Sequence, residues 1–277
     1  MSFSTPALWE VYNREHAMFQ VCMHLRPNGS LFPQLRAMVL VSLQDIPIIK
    51  TFISPYLQTL RIRLPNNDHN YLCQIYNVAP NVSFIHLSGE VGSAAFQCIP
   101  LFKNLDHLII HFSTPSLLGV DHVRLPDTIS SLALSFPPNF SIPRAFLVSS
   151  PTLKKLYLRG TMAHILQALQ IGKNAPLEEV NLELAHERVP VVPFARCVDV
   201  PFARCVDVLA AHRSRSLRVV RLLCNGIATT PNIVSLFDIP TLSLVELRCT
   251  IAPSTFIYSV KRHTPSGVIY SLAVIPA

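Results

Sequence analysis

Apolar residues recur along this chain in one short form: an apolar residue, two variable positions, a second apolar residue, one variable position, a third apolar residue. Nine segments carry it: "LRAMVL" from Leu35, "LQTLRI" from Leu57, "VSFIHL" from Val82, "LDHLII" from Leu105, "ISSLAL" from Ile129, "LKKLYL" from Leu153, "LEEVNL" from Leu177, "LRVVRL" from Leu217 and "LSLVEL" from Leu242. "VIYSLA" from Val268 is a weaker tenth. The intervals between successive starts are 22, 25, 23, 24, 24, 24, 40, 25 and 26 residues. Independent amphipathic elements would not keep that rhythm, so the chain reads as a repeat array.

Within each segment the alternation predicts a short strand, with the fourth and sixth positions turned inward and the third, fifth and seventh outward. A proline stands one to three residues before most segments: Pro33, Pro55, Pro80, Pro126, Pro151, Pro176, Pro240 and Pro265. Proline cannot continue a helix and biases its predecessor toward extended geometry, so it marks the switch into the next strand. Between strands, helical spacing of apolar residues predicts helices over Tyr71–Ala79 and Met162–Ile171, with shorter ones over Ile233–Ile239 and Thr255–His263. Leu117–Leu125 reads as a loop or a turn of 3₁₀ helix. Each unit is then one strand and one returning helix or turn, which buries its apolar face only by stacking on its neighbours.

This pattern resembles the leucine-rich repeat family, in the irregular form of the leucine-rich region of fungal F-box-like proteins, whose units carry a "P-x-L-x-x-L-x-L" opening. The asparagine or cysteine usual after the strand is replaced by Ser88, Ser113 and Arg159 in that area. The resemblance implies an α/β horseshoe solenoid of about nine to ten repeats of about 24 residues, with parallel strands on the concave face and helices or turns on the convex face. It covers residues 32–277. Residues 1–31 form a separate N-terminal region, in which "ALWEVYNREHAMFQVCMHL" (Ala7–Leu25) reads as an amphipathic helix capping the array, with Leu8, Tyr12, Phe19 and Cys22 near one face. Many members of that family open with an F-box that docks them onto a cullin–RING ubiquitin ligase. Nothing like an F-box precedes Phe32, so a link to ligase subunits requires an F-box outside this chain.

Composition narrows the partners. Half of the 277 residues are apolar and 14% are charged, which is a core-rich balance and not a disordered one. The formal charge of +7 comes from scattered lysines and arginines, so nucleic acid is not expected as a partner. No apolar run approaches the roughly 20 residues of a membrane span. The N-terminus lacks the basic and apolar regions of a signal peptide. Seven widely spaced cysteines with no Cys-x-x-Cys argue against a disulfide framework or a cysteine zinc site, and predict buried thiols in a reducing compartment, cytoplasmic or nuclear.

The outward positions form the candidate site. Arg61, Arg63, His86, His107 and His111 make a basic, imidazole-rich patch, and Lys155, Tyr157 and Arg159 make a second cationic strip. Glu179 and Glu183 fall one strand beyond, in register with Lys155 and Arg159, as a pair of cross-strand salt bridges would require. Arginine and tyrosine are the residue types of interface hot spots. The partner-binding residues are therefore Arg61, Arg63, His86, His107, His111, Tyr157, Arg159 and Arg221, and the expected partner is another protein.

Histidines on neighbouring strands can also hold zinc or act as a base. Asp106 is expected to point off this face, so no carboxylate completes such a site. No nucleophile elbow, phosphate loop or dinucleotide fingerprint occurs. The expectation is a binding module and not an enzyme, with no catalytic residue, metal or cofactor assigned. The alternatives are a metal- or histidine-dependent enzyme on the histidine patch, or a truncated gene product without activity, the latter suggested by the apolar ending "SGVIYSLAVIPA".

One feature interrupts the rhythm. Pro193–Val200 is copied without change into Pro201–Val208, inside the only 40-residue interval. The copy falls in a connection, where a repeat array absorbs insertions. It reads as a slipped duplication or a gene-model error. The second copy is predicted to open a helix over Pro201–His212, with proline in the first helical position.

Overall fold

The structure is a computed structural model that describes residues 32–40, 52–64, 71–113, 125–141, 151–171, 175–185, 205, 208–209, 216–225, 236, 239–251, 254–264 and 267–276. The N-terminal cap, the Leu117–Leu125 segment up to residue 124, the first octapeptide and most of the second lie outside these residues.

The fold is α/β, with one eleven-stranded sheet in strand order β1 to β11. The strands are β1 (Ala37–Leu40), β2 (Thr59–Leu64), β3 (Phe84–Gly89), β4 (His107–Phe112), β5 (Ser131–Ser135), β6 (Lys155–Gly160), β7 (Glu179–Leu184), β8 (Val219–Asn225), β9 (Leu244–Ile251), β10 (Ser254–Thr264) and β11 (Gly267–Pro276). From β1 to β9 every neighbouring pair is parallel. Each of these nine strands starts at the third position of its apolar segment. The expected alternation holds: Leu60, Ile62, Ile85, Leu87, Leu156 and Leu158 are buried, as are their counterparts on the other strands, except that Leu40 on β1 is only partly buried.

The prolines act through turns. Phe32–Leu35, Ser54–Leu57 and Ile239–Leu242 each close a four-residue turn by an N–H to carbonyl bond, with Pro33, Pro55 or Pro240 second in the turn. Proline presets the backbone angle that position needs. After each turn the carbonyl of the residue two places into the segment accepts two N–H groups from the next strand. The series runs through Arg36, Gln58, Ser83, Asp106, Ser130, Lys154, Glu178 and Arg218 without a break. Hydroxyls immediately before the segment also bind the preceding unit: Thr128, Thr152, Ser216 and Thr241 donate to the carbonyls of Leu105, Ile129, Leu177 and Leu217.

Helices α1 (Tyr71–Val78), α2 (Ser93–Cys98) and α3 (Met162–Ile171), with the 3₁₀ turn Ile99–Leu101, pack on the inward side of the sheet. α1 and α3 fall where the spacing predicts them; Leu72, Ile75, Ile165 and Leu169 sit in the core. Cys205, Val208 and Leu209 of the predicted Pro201–His212 helix are helical, and Cys205 and Leu209 are fully buried, the Cys205 sulfur 3.3 Å from that of Met162. Most of Ile233–Ile239 is outside the described residues, but Leu236 and Ile239 are buried.

Two expectations are corrected. Thr255–His263 is not a helix but most of strand β10, which runs antiparallel to both β9 and β11. The tenth candidate segment, within β11, therefore returns as the second arm of a hairpin and not as a parallel unit. The segment's Thr, Phe, Ile, Tyr and Val suit a pleated, half-buried surface better than a helix, and Val260 packs opposite Val245 in the core. Arg262 closes this end of the inward side by donating to the carbonyls of Leu242 and Ile239. Second, Cys73 of α1 and Cys98 of α2 form a disulfide, their Cα atoms 5.2 Å apart. The reading of the cysteines as isolated thiols fails for this pair, because the repeat brings residues one unit apart onto adjacent helices. No described helix is long and apolar enough to cross a membrane.

Candidate binding face of the sheet

The outward positions line up in rows, because the parallel register is unshifted from β1 to β9. One row holds Arg61, His86, Ile109, Ala133, Tyr157, Asn181, Arg221 and Glu246; the next holds Arg63, Ser88, His111, Ser135, Arg159, Glu183, Leu223 and Arg248. All eight residues predicted to bind a partner are on this open face, and no described element covers it. They do not form one group.

Toward β9 the charges are paired within the chain. Arg159 Nε lies 3.1 Å from a Glu183 carboxylate oxygen. The Tyr157 hydroxyl donates to the other Glu183 oxygen. Burial, then that bond and the Glu183 charge, push the phenol well above its usual range, against a smaller opposing effect of Arg159. Glu179 is in register with Lys155, as expected, but its ion pair is with Arg221 on the other side. Arg221 also donates to the Asn181 side-chain oxygen at 3.3 Å, and Asn181 donates to Glu179 at 3.1 Å. Burial alone would raise the Glu179 carboxyl; the Asn181 and Arg221 bonds, then the charges of Arg221 and Lys155, outweigh it and hold the group below its usual range. Arg248 is 3.3 Å from Glu246. Of the two expected salt bridges, Arg159–Glu183 forms, whereas Glu179 pairs with Arg221 in place of Lys155.

Toward β1 the pattern reverses. The outward strand positions from β1 to β5 contain no Asp or Glu among the described residues. Arg61 stands over the Phe84 ring at 5.9 Å, a cation–π contact. The His107 ring stacks on the other neighbour position of Phe84, with centroids 6.2 Å apart. His86 and His111 tilt against each other at 4.9 Å, and the His86 Nε2 is shielded from water without a hydrogen-bond partner. Burial, then His111 and Arg61, hold His86 below the usual histidine range; burial, then Arg159, does the same to His111. Both rings therefore favour the neutral form near pH 7.

Asp106 departs from expectation. Its carboxylate reaches His107 Nδ1 at 2.8 Å, because Asp106 precedes the strand and the alternation rule does not govern its side chain. The remaining histidine in the described core, His164, serves packing: its Nε2 contacts the Phe140 carbonyl oxygen at 2.6 Å, beside Phe136. No group of three or more His, Cys, Asp or Glu among the described residues is placed to hold a metal ion. In comparisons with known proteins, no family model matches the chain, and no curated protein matches it.

Proposed function

We propose that this chain is a leucine-rich repeat horseshoe of nine or so units that binds another protein on its concave sheet face. What carries the reading is the open face itself. Nine strands in unbroken register present a continuous outward surface, and its β2 to β5 part offers Arg61, Arg63 and three histidines with no carboxylate among the strand positions. Repeat arrays use such surfaces for partners, and desolvated arginines are frequent hot spots. The resemblance to fungal F-box-like proteins further suggests substrate recognition in ubiquitin transfer, through an F-box outside these residues.

The test is affinity purification from the native cells, comparing the wild-type chain with Arg61→Ala, Arg63→Ala and Arg159→Ala combined. The wild type retains a defined set of proteins and the triple variant loses it. Retention of the same set by the variant would refute the reading.

A histidine-dependent enzyme is the second reading. It draws on the Asp106–His107 pair, with Ser131 in register one strand away. Among the described residues no hydrogen bond joins His107 to Ser131, the contact such a pair would need. Ester hydrolysis abolished by both His107→Ala and Ser131→Ala would favour it.

A further inference from the structure

We propose that the part of the open face between β2 and β6 binds an extended acidic segment of its protein partner, and that protonation of His86 and His111 strengthens the binding. This deepens the protein-binding reading and rests on it.

Four groups define the track. Arg61 and His86 are in register on β2 and β3. His111 on β4 lies one diagonal step away, its ring 4.9 Å from that of His86. Arg159 on β6 continues the line, close enough for its charge to bear on His111. Four strand spacings separate β2 from β6, about 19 Å, a length that about six extended residues cover. The segment would cross the strands with its carboxylates over the track.

The surroundings favour an anion. Arg61 and Arg63 face the histidine pair from β2. From β4 comes His107, already paired to Asp106 at 2.8 Å. β5 presents no titratable group at its outward positions, and β6 presents Lys155, Tyr157 and Arg159, the last partly neutralised by Glu183. Glu90 follows β3 and lies beyond its strand positions. Phe84 holds the Arg61 guanidinium from one side, leaving its N–H edges for a bidentate carboxylate.

The histidines make the face sensitive to protons. In the free protein, burial and the neighbouring cations oppose a charge on either ring. A carboxylate laid over the pair accepts a hydrogen bond from each imidazolium and offsets the mutual repulsion. Acidic ligand and protons therefore bind together, and each must favour the other by the same factor. Nucleic acid is the weaker fit, because single strands need free aromatic rings for stacking. Of the outward aromatics of this stretch besides the histidines, Phe84 is flanked by Arg61 and His107, and Tyr157 is held through its hydroxyl by Glu183.

The test uses the full chain and a fluorescent peptide of about eight glutamates, long enough to cover the track. Anisotropy is read at low salt, at about pH 7.8 and about pH 5.8, either side of the histidine range. Binding should tighten about tenfold at the lower pH, the scale of a single coupled protonation. His86→Asn with His111→Asn should keep the weaker binding and lose the pH dependence. Arg61→Ala with Arg63→Ala should weaken binding about tenfold at both values. Circular dichroism confirms that each variant is folded. Equal affinity at both pH values, an unchanged pH dependence in the histidine variant, or tighter binding of a single-stranded oligonucleotide of equal charge would overturn the proposal. The two readings fail separately: partner capture lost with the arginines but no peptide binding removes only the acidic segment, whereas peptide binding with capture unaffected removes the protein-binding reading as well.

Discussion

Between β2 and β5 the open face carries Arg61 and Arg63 with no acidic residue at a strand position, whereas from β6 to β9 every arginine of the face leans on a glutamate. Both stretches share one backbone, one register and one inward row of leucine, isoleucine and valine. The repeat fixes where a side chain stands; its neighbours across the ladder decide whether it remains available. Tyr157, Arg159 and Arg221 were natural hot-spot candidates by residue type, yet each is engaged with Glu179 or Glu183. Arg61 and Arg63 have the same chemistry, and among the described residues neither has a carboxylate partner.

The inward layers differ as well, and the largest expected effect lies there. The Cys73–Cys98 disulfide joins the helices behind β2 to β4, while Cys205 behind the later strands is buried with its sulfur 3.3 Å from that of Met162. Reduction, or Cys73→Ala with Cys98→Ala, should remove about 3 kcal/mol by relaxing a closed loop in the unfolded chain. Denaturant unfolding with and without reductant measures it. An unchanged midpoint would show that the bridge does not hold the early units together.

Next come the two glycines that end strands. Gly89 closes β3 with φ +92°, and a Cβ there would run into the Leu64 carbonyl oxygen. Gly160 closes β6, where a Cβ would meet His164 and Phe136 side-chain atoms at 3.1 to 3.3 Å. Gly89→Ala should cost about 2 kcal/mol from strain at positive φ. Gly160→Ala should cost about 1 kcal/mol, since side chains yield more readily than backbone. Equal losses in thermal unfolding would erase this contrast.

Smaller effects separate the open faces directly. Glu179→Gln should destabilise by about 1 kcal/mol, the upper range for a partly exposed ion pair. Arg61→Ala should stay within about 0.5 kcal/mol of the wild type, as for surface positions without such a partner. A larger loss at Arg61 than at Glu179 would reverse the assignment of free and paired halves.

The pH dependence should fall in two windows. His86 and His111 are held below their usual range, so the unfolded chain takes up protons more readily there. Their contribution is fully present above about pH 6.5 and is lost as pH falls through the depressed values. Glu179 is depressed too, so its contribution is present above about pH 4.3 and lost below. His86→Asn with His111→Asn should flatten the first window only. A variant that leaves it unchanged would place the titration elsewhere.

Much of this was legible in the sequence. The apolar spacing located all nine parallel strands and their inward rows, and helical spacing located α1 and α3. Where it failed, the missing information was non-local. Phe256, Ile257 and Val260 fit a helical spacing as well as a strand, and only the free edge of β9 decides between them. Cys73 and Cys98 stand 25 residues apart, one repeat length, a signal that a count of Cys-x-x-Cys motifs overlooks. Thr128, Thr152, Ser216 and Thr241 sit before their segments as an equally regular mark. At the site, alternation placed every outward residue, but it was silent on Asp106, which precedes its strand. Nor could it rank Lys155 against Arg221 as the partner of Glu179, because β7 has a neighbour on each side.

The contrast between free and paired arginines can be measured by their reaction rates with phenylglyoxal, followed by mass spectrometry of the peptides. Arg61 and Arg63 should react well before Arg221, and a bound acidic peptide should protect the first two while leaving Arg221 unchanged. Arg221 reacting as fast as Arg61, with no protection of Arg61 or Arg63, would contradict the assignment of the β2 to β5 face as the docking surface.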